Sequence, residues 1–124
     1  MENKFAVDVG LNIWIDVKNE TVFCQGRALL LERIREHGSL RKAAKSLKMS
    51  YRAAWGKLKQ TQEVLGCELV TLSSSRPKCY KLTDEGEKIL IQYLSWRQRV
   101  ENLAAAESFQ LKSHLEEFIK ASHQ

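Results

Sequence analysis

Apolar and other side chains alternate along residues 11–17, the first clear pattern in the chain. Leu11, Ile13, Ile15 and Val17 share one face of this alternation. A period of two over this length predicts a half-buried β-strand. The turn-forming residues "KNET" and the short apolar run "TVF" follow, so we predict a small β-hairpin at the start of the domain.

Helical spacing begins after Gly26. Leu29, Leu30 and Ile34 form one apolar stripe within "RALLLERIREHG". Gly38 suits the left-handed residue that ends such a helix. We therefore predict a first helix that ends at Gly38.

Two capped helices separated by about three residues describe a helix-turn-helix. Ser39 can cap "LRKAAKSL", a short helix that runs to about Leu47. Ser50 can cap "YRAAWGKLKQTQEVLG", a helix that closes at Gly66. In each case the serine hydroxyl would accept a backbone N–H that the first helical turn leaves unpaired.

Two short β-like runs, "CELVTL" and "KCYKLT", flank "SSSRP", which contains the only proline. Proline among serines between two such runs predicts a hairpin. Thr83 then caps another helix, whose acidic first turn complements the helix dipole. The order strand, helix, helix, turn, helix, hairpin, helix predicts a winged helix-turn-helix, mainly α with a small β component.

The hairpin around the proline is the wing of this motif. Beyond the wing, apolar residues recur at steps of four and three, which predicts an a/d seam of about two heptads. The residues of this seam are Ile89, Tyr93, Trp96, Val100 and Leu103. The register changes between residues 104 and 108, and Leu111, Leu115 and Phe118 then repeat the steps. The helix either bends back there or stutters and continues.

The composition and the distribution of charge indicate what kind of partner the protein binds. Hydrophobic residues at 44% and charged residues at 28% are typical of a folded soluble domain. Residues 27–81 contain 13 Lys or Arg against 4 Asp or Glu, whereas the rest contains 7 against 11. Such a segregated basic block favours an anionic partner, and nucleic acid is the commonest one.

A helical projection of residues 50–65 separates two faces. One arc is predicted to pack on the domain: Ala54, Leu58, Thr61 and Leu65. The opposite arc is predicted to face outward: Arg52, Gly56, Lys59 and Glu63. The second helix of a helix-turn-helix enters the major groove of DNA with its N-terminal part.

Arg52 is the stronger candidate for base reading, because a guanidinium can donate two hydrogen bonds to guanine. Lys59 is a candidate for a base or a phosphate, and Ser50 and Tyr51 lie near the start of the helix. Trp55 flanks the apolar arc and is interpreted as a core anchor in preference to the alternative of a base-stacking group, so it is left out of the predicted site.

The remaining basic candidates lie outside this helix. Arg41, Lys42, Lys45 and Lys48 lie on or just after the preceding helix, which crosses the phosphate backbone in this motif. They would add affinity without sequence choice. Arg76 and Lys78 flank the proline of the wing and could reach DNA, although an ordinary polar turn is an equal alternative.

Catalytic and metal-binding patterns are lacking in the sequence. His37 and the two later histidines have no Ser or Cys partner at a recognisable spacing, and no glycine-rich phosphate loop occurs. The three cysteines form no C-x-x-C grouping. We therefore predict no enzyme activity, no metal and no cofactor, and identify no small-molecule ligand.

No secretory leader and no run of 18 apolar residues is recognisable, so we expect a cytoplasmic protein without a membrane partner.

These residues resemble a known family. The stretches "GRALLLERIREHGSLRKAAKSLKMSYRAAWGKLKQ", "LVTL" and "KLTDEGEKIL" resemble the N-terminal DNA-binding domain of the molybdate-responsive ModE regulators, itself similar to the LysR-type winged helix. The resemblance covers residues 11–100. It implies a homodimer, held by the N-terminal region and the long helix after the wing, on a palindromic operator.

Two features depart from this family. The wing, "SSSRPK", is short, and the sequence to Gln124 leaves no room for molybdate-binding domains. A response to molybdate is therefore not expected.

We accordingly predict a winged helix-turn-helix DNA-binding domain with an N-terminal β-hairpin at residues 1–82. A C-terminal helical dimerisation region follows at residues 83–124. The leading hypothesis is a homodimeric, sequence-specific transcriptional regulator that binds a palindromic operator on double-stranded DNA. The alternative is a winged-helix protein-protein interaction module that docks an acidic partner.

Overall fold

The protein is described by a computed structural model over residues 6–123, so residues 1–5 and 124 of the two predicted domains lie outside the described residues. The elements follow the winged-helix order and confirm the predicted fold class. They are β1 (Trp14–Val17), β2 (Glu20–Cys24), α1 (Gln25–His37), α2 (Leu40–Ser46), α3 (Tyr51–Leu65), β3 (Val70–Leu72), β4 (Tyr80–Leu82), α4 (Asp84–Glu107) and α5 (Phe109–Ser122).

The N-terminal hairpin differs in detail from its prediction. β1 begins at Trp14, three residues later than the alternation suggested, and pairs antiparallel with β2. Lys18 and Asn19 form the connecting turn, both with positive φ. Leu11 and Ile13 are half-buried as predicted, but Ile15 is 44% and Val17 36% exposed, so only the first part of the predicted face is covered. β2 supplies the buried residues of the hairpin instead, because its apolar residues meet the helices.

The helix-turn-helix forms as predicted. α1 ends at Gly38, which has the left-handed φ of 65°. The Ser39 hydroxyl accepts from the Lys42 backbone N–H at 3.1 Å, and the Ser50 hydroxyl accepts from Ala53 at 3.0 Å. Local hydrogen bonding thus fixes where α2 and α3 begin.

The inner face of α3 packs on the core through Ala54, Leu58 and Thr61, all buried as predicted. Leu65 was predicted on the same face but is 39% exposed. It lies in the last turn of α3, where the chain leaves the core. The Thr61 hydroxyl donates to the Val22 carbonyl oxygen at 2.6 Å and joins α3 to β2.

The wing is attached to α1 and α4. The Tyr80 backbone N–H donates to the Gly38 carbonyl oxygen at 2.8 Å, which links β4 to the end of α1. The Thr83 hydroxyl accepts from the Gly86 N–H at 3.0 Å and caps α4 as predicted. A side chain at Gly86 would overlap the carbonyl oxygen of Leu69, the residue before β3, so only glycine allows α4 to approach the chain this closely there.

Residues 13–95 form one compact unit. The unit includes the first half of α4, which lies beyond the predicted boundary after Leu82. Tyr93 anchors this part of the helix: its ring meets Phe23 edge-on at 5.1 Å, and its hydroxyl donates to the Ile13 carbonyl oxygen at 3.0 Å. The early turns of α4 therefore belong to the winged-helix core.

The second compact unit contains, among the described residues, 6–12 and 96–123. α4 ends at Glu107 and α5 starts at Phe109, so the register change marks a boundary between two helices. The Ser108 hydroxyl donates to the Ala105 carbonyl oxygen at 2.9 Å at this junction. α5 contains no buried residue.

Candidate nucleic-acid interface

The N-terminal turn of α3 forms a cationic and aromatic surface. Tyr51 is exposed, and the Arg41 guanidinium carbon lies 4.8 Å from the centre of its ring. This cation–π contact joins α2 to α3 at the point where α3 starts. It holds one cation beside the helix N-terminus, where the backbone N–H groups favour an anion such as phosphate.

Arg52 and Lys59 are both exposed, as predicted. Within residues 6–123, Arg52 has no ion pair and no side-chain hydrogen bond. The Lys59 ammonium lies 3.8 Å from a carboxylate oxygen of Glu63, but both side chains are more than half exposed. Water screens such a pair, so it stabilises the helix little and leaves Lys59 available to phosphate.

Gly56 lies on the same outward face. A Cβ built at Gly56 would have no heavy atom within 4 Å apart from its own helix. The fold therefore does not need a glycine there, although glycine in a helix interior costs roughly 1 kcal/mol relative to alanine. A close approach by a partner is a physical reason for its presence.

The other predicted basic residues are also exposed. Arg41, Lys42 and Lys45 extend from α2, and Lys48 occupies the turn before α3 with a φ of 56°. Residues 47–50 connect α2 to the start of α3, which carries Arg52. The arrangement can meet a row of phosphates beside the groove that receives α3.

The wing presents Arg76 and Lys78 at its exposed tip. The base of the hairpin is fixed, because the Ser73 N–H donates to the Cys79 carbonyl oxygen at 2.8 Å. The Cys79 N–H donates to the Ser73 hydroxyl at 3.1 Å. The two cations thus extend from a short hydrogen-bonded hairpin.

The structure corrects the interpretation of Trp55 as a core anchor. Its side chain is 40% exposed. The core under α3 ends at the arc of Ala54 and Leu58, and the indole lies between that arc and the outward cations. The helical projection contained this signal, since Trp55 lies about 60° from Arg52 at about 100° per residue.

The predicted dimerisation seam divides between core and surface. Tyr93 is 5% exposed and packs in the core, so its ring is not available to a second subunit. Ile89, Trp96 and Val100 are partly exposed, and Leu103 is 61% exposed. All five residues lie on α4, and Tyr93 packs within the unit of residues 13–95.

An open cleft of about 620 Å³ lies in the unit formed by residues 6–12 and 96–123. Asp8, Arg97, Glu101 and Lys112 are its charged lining residues. Arg97 donates to Glu101 at 2.7 Å, so these two charges satisfy each other. The sequence pattern gave no indication of this cleft, because its lining comes from segments far apart in the chain.

Part of the chain matches a known protein family. Residues 27–87 match the family model of the bacterial regulatory helix-turn-helix protein, lysR family. The match begins in α1 and ends in the first turn of α4, so it contains the helix-turn-helix and the wing. No curated protein matches the chain. Within residues 6–123, no helix is long and apolar enough to cross a membrane.

Proposed function

We propose that this protein, a DNA-binding transcription regulator whose residues 27–87 form a LysR-type helix-turn-helix domain, binds a palindromic operator as a homodimer. Each subunit inserts the first half of α3 into a major groove. A regulator of this kind acts in the compartment that holds the DNA. The alternative of a module that docks an acidic protein gains no support from the family match.

One observation carries the proposal of sequence specificity. Arg52 is exposed two residues after the Ser50 cap, on the second helix of the motif, and no acidic side chain within residues 6–123 pairs with it. A guanidinium in this position can donate two hydrogen bonds to the O6 and N7 atoms of guanine. Arg52 therefore selects bases. Lys59, seven residues later on the same face of α3, adds a contact to a base or a phosphate.

The flanking cations supply affinity. Lys42, Lys45 and Lys48 contact phosphates along α2 and its turn, and Arg41 joins them from its position over Tyr51. Arg76 and Lys78 reach the neighbouring backbone from the wing. These contacts release counterions and do not depend on sequence, so they set the salt dependence of binding.

Exposed apolar side chains in the C-terminal helices support the homodimer. Leu103, Phe109 and Phe118 are 61%, 71% and 67% exposed. Large apolar side chains that stay exposed gain free energy when a partner covers them. A second copy is the occupant that the resemblance to ModE domains implies, and a two-fold axis between copies makes the operator palindromic.

A selection from random duplex DNA tests the whole proposal. The full chain is incubated with a pool that contains a random 30-base-pair centre, and bound duplexes are amplified and sequenced. We expect an enriched inverted repeat, and sedimentation analysis of the complex should give two protein chains per duplex. Enrichment without two-fold symmetry would contradict the homodimeric arrangement, and absence of enrichment would contradict sequence-specific binding.

A further inference from the structure

Trp55 is partly exposed on α3. Its ring meets no aromatic ring or cation, and its indole N–H donates no hydrogen bond, within residues 6–123. Exposure of a large aromatic side chain forgoes the free energy that burial would supply. The 40% of Trp55 that remains exposed is therefore available to a surface outside this subunit.

The position of Trp55 indicates which surface that is. On the helical projection Trp55 lies about 40° from Lys59 and about 60° from Arg52, both of which face outward. A partner that contacts these two cations also reaches the indole. This partner must then combine negative charge with an apolar group over the width of one helix.

The major groove of DNA offers this combination. Phosphates line its two edges, and the 5-methyl group of thymine is the apolar group on its floor. We propose that Trp55 packs against the 5-methyl group of a thymine in the operator and so contributes to sequence choice. The inference rests on the proposed function, since it assumes that α3 enters the groove.

The indole is suited to this role by its shape. It has one N–H donor and no acceptor, so it cannot read a base through paired hydrogen bonds as Arg52 can. The indole distinguishes thymine from other bases through its apolar ring face, because covering the 5-methyl group removes apolar surface from water. Gly56, on the other side of Arg52, has no Cβ and allows α3 to lie deep enough for such contact.

Replacement of thymine by deoxyuridine tests this contact directly. The exchange removes one methyl group and leaves the hydrogen-bonding edge of the base unchanged. The probe is the duplex enriched from the random pool, in which each thymine is replaced in turn. Dissociation constants are measured by fluorescence anisotropy for the wild-type full chain, Trp55→Ala and Trp55→Phe.

For the wild type we expect a loss of about fourfold at one thymine of each half-site, the equivalent of roughly 0.8 kcal/mol for one buried methyl group. Trp55→Ala should bind the thymine and deoxyuridine duplexes equally at that position. Trp55→Phe should retain part of the difference, because a smaller ring still covers some of the methyl group.

Three results overturn the inference. The first is a wild-type protein that shows no loss at any thymine, and the second is a loss of the same size in Trp55→Ala. A third result also overturns it: sensitivity to an uncharged methylphosphonate linkage that disappears in Trp55→Ala, without sensitivity to deoxyuridine. That outcome would show that the indole N–H of Trp55 donates a hydrogen bond to a phosphate.

The design separates this inference from the proposed function. A pool without an enriched sequence overturns both, whereas an enriched duplex that is insensitive to methyl removal overturns only the role of Trp55. Each comparison is made between two duplexes on one protein, so a general loss of affinity in a variant cancels. If Trp55→Ala fails to fold, Trp55→Phe supplies the comparison, and a Trp55→Phe that shows the full wild-type loss overturns the inference.

Discussion

Arg41 in α2 lies with its guanidinium carbon 4.8 Å from the centre of the Tyr51 ring, at the first residue of α3. The contact joins the first turn of α2 to the first turn of α3. In the proposed complex with DNA, Tyr51 holds this cation beside the phosphate backbone that passes α3.

Removal of the Tyr51 ring should therefore weaken binding to all DNA sequences. An exposed cation–π contact contributes about 0.5–1 kcal/mol, so we expect Tyr51→Leu to lose about two- to fivefold in affinity. Anisotropy titrations on the selected operator and on a random duplex measure the effect. Tyr51→Phe is the matched control and should bind like the wild type, and a loss confined to the operator would show that Tyr51 reads bases.

Arg52→Ala and Lys42→Ala should produce different kinds of loss. Arg52→Ala should reduce the preference for operator over random DNA by about 1–3 kcal/mol, because it removes a paired contact to guanine. Lys42→Ala should weaken both duplexes alike and make the slope of log Kd against log salt less steep by about one phosphate. Equal losses on both duplexes for Arg52→Ala would refute the base-reading assignment.

Gly86 and Gly56 form a matched pair of helix glycines. Gly86→Ala should destabilise the protein by about 1–3 kcal/mol, since the new methyl group meets the Leu69 backbone. Gly56→Ala should stabilise the free protein by roughly 1 kcal/mol, because its Cβ would point into open space. Urea denaturation of the two variants measures these free energies of unfolding.

The same pair tests the role of Gly56 at the interface. If α3 needs a close approach to DNA, Gly56→Ala should bind the operator more weakly although it is more stable. An unchanged operator affinity in Gly56→Ala would remove the argument that a partner approaches this position.

Thr61→Val should destabilise the protein by about 1–3 kcal/mol. The substitution keeps the volume but leaves the Val22 carbonyl oxygen without the hydroxyl that donates to it at 2.6 Å. Thr61→Ser retains the hydroxyl and serves as the control. Urea denaturation should place Thr61→Val below Thr61→Ser, and the reverse order would show that packing of the methyl group outweighs the hydrogen bond.

Much of the fold could be predicted from the sequence, because the signals are local. Ser39, Ser50 and Thr83 accept backbone N–H groups within three residues of their own positions. Gly38 and Gly66 end their helices in the left-handed conformation that glycine adopts without strain. The spacing of Arg52 and Lys59 on one helix likewise determined that both would share a face.

Tertiary structure alone decided which parts of each face are covered. The spacing of the apolar residues after the wing could be read from the sequence. Only the packing of Tyr93 against Phe23 shows that Tyr93 is a core residue. Likewise, the alternation of β1 predicted burial, yet Ile15 is exposed in this chain. The periodicity of a sequence shows which side chains lie on the same face of a helix or strand. Whether that face is buried depends on which distant segments of the chain pack against it.

Trp55 is the clearest case of this division. The sequence determined its angle on α3, between the packed arc and the cationic one, by helical geometry alone. Whether the core extends far enough to cover the indole depends on the width of the surface that β2 and α1 present to α3. That width is set by long-range packing, and it leaves Trp55 exposed beside Arg52.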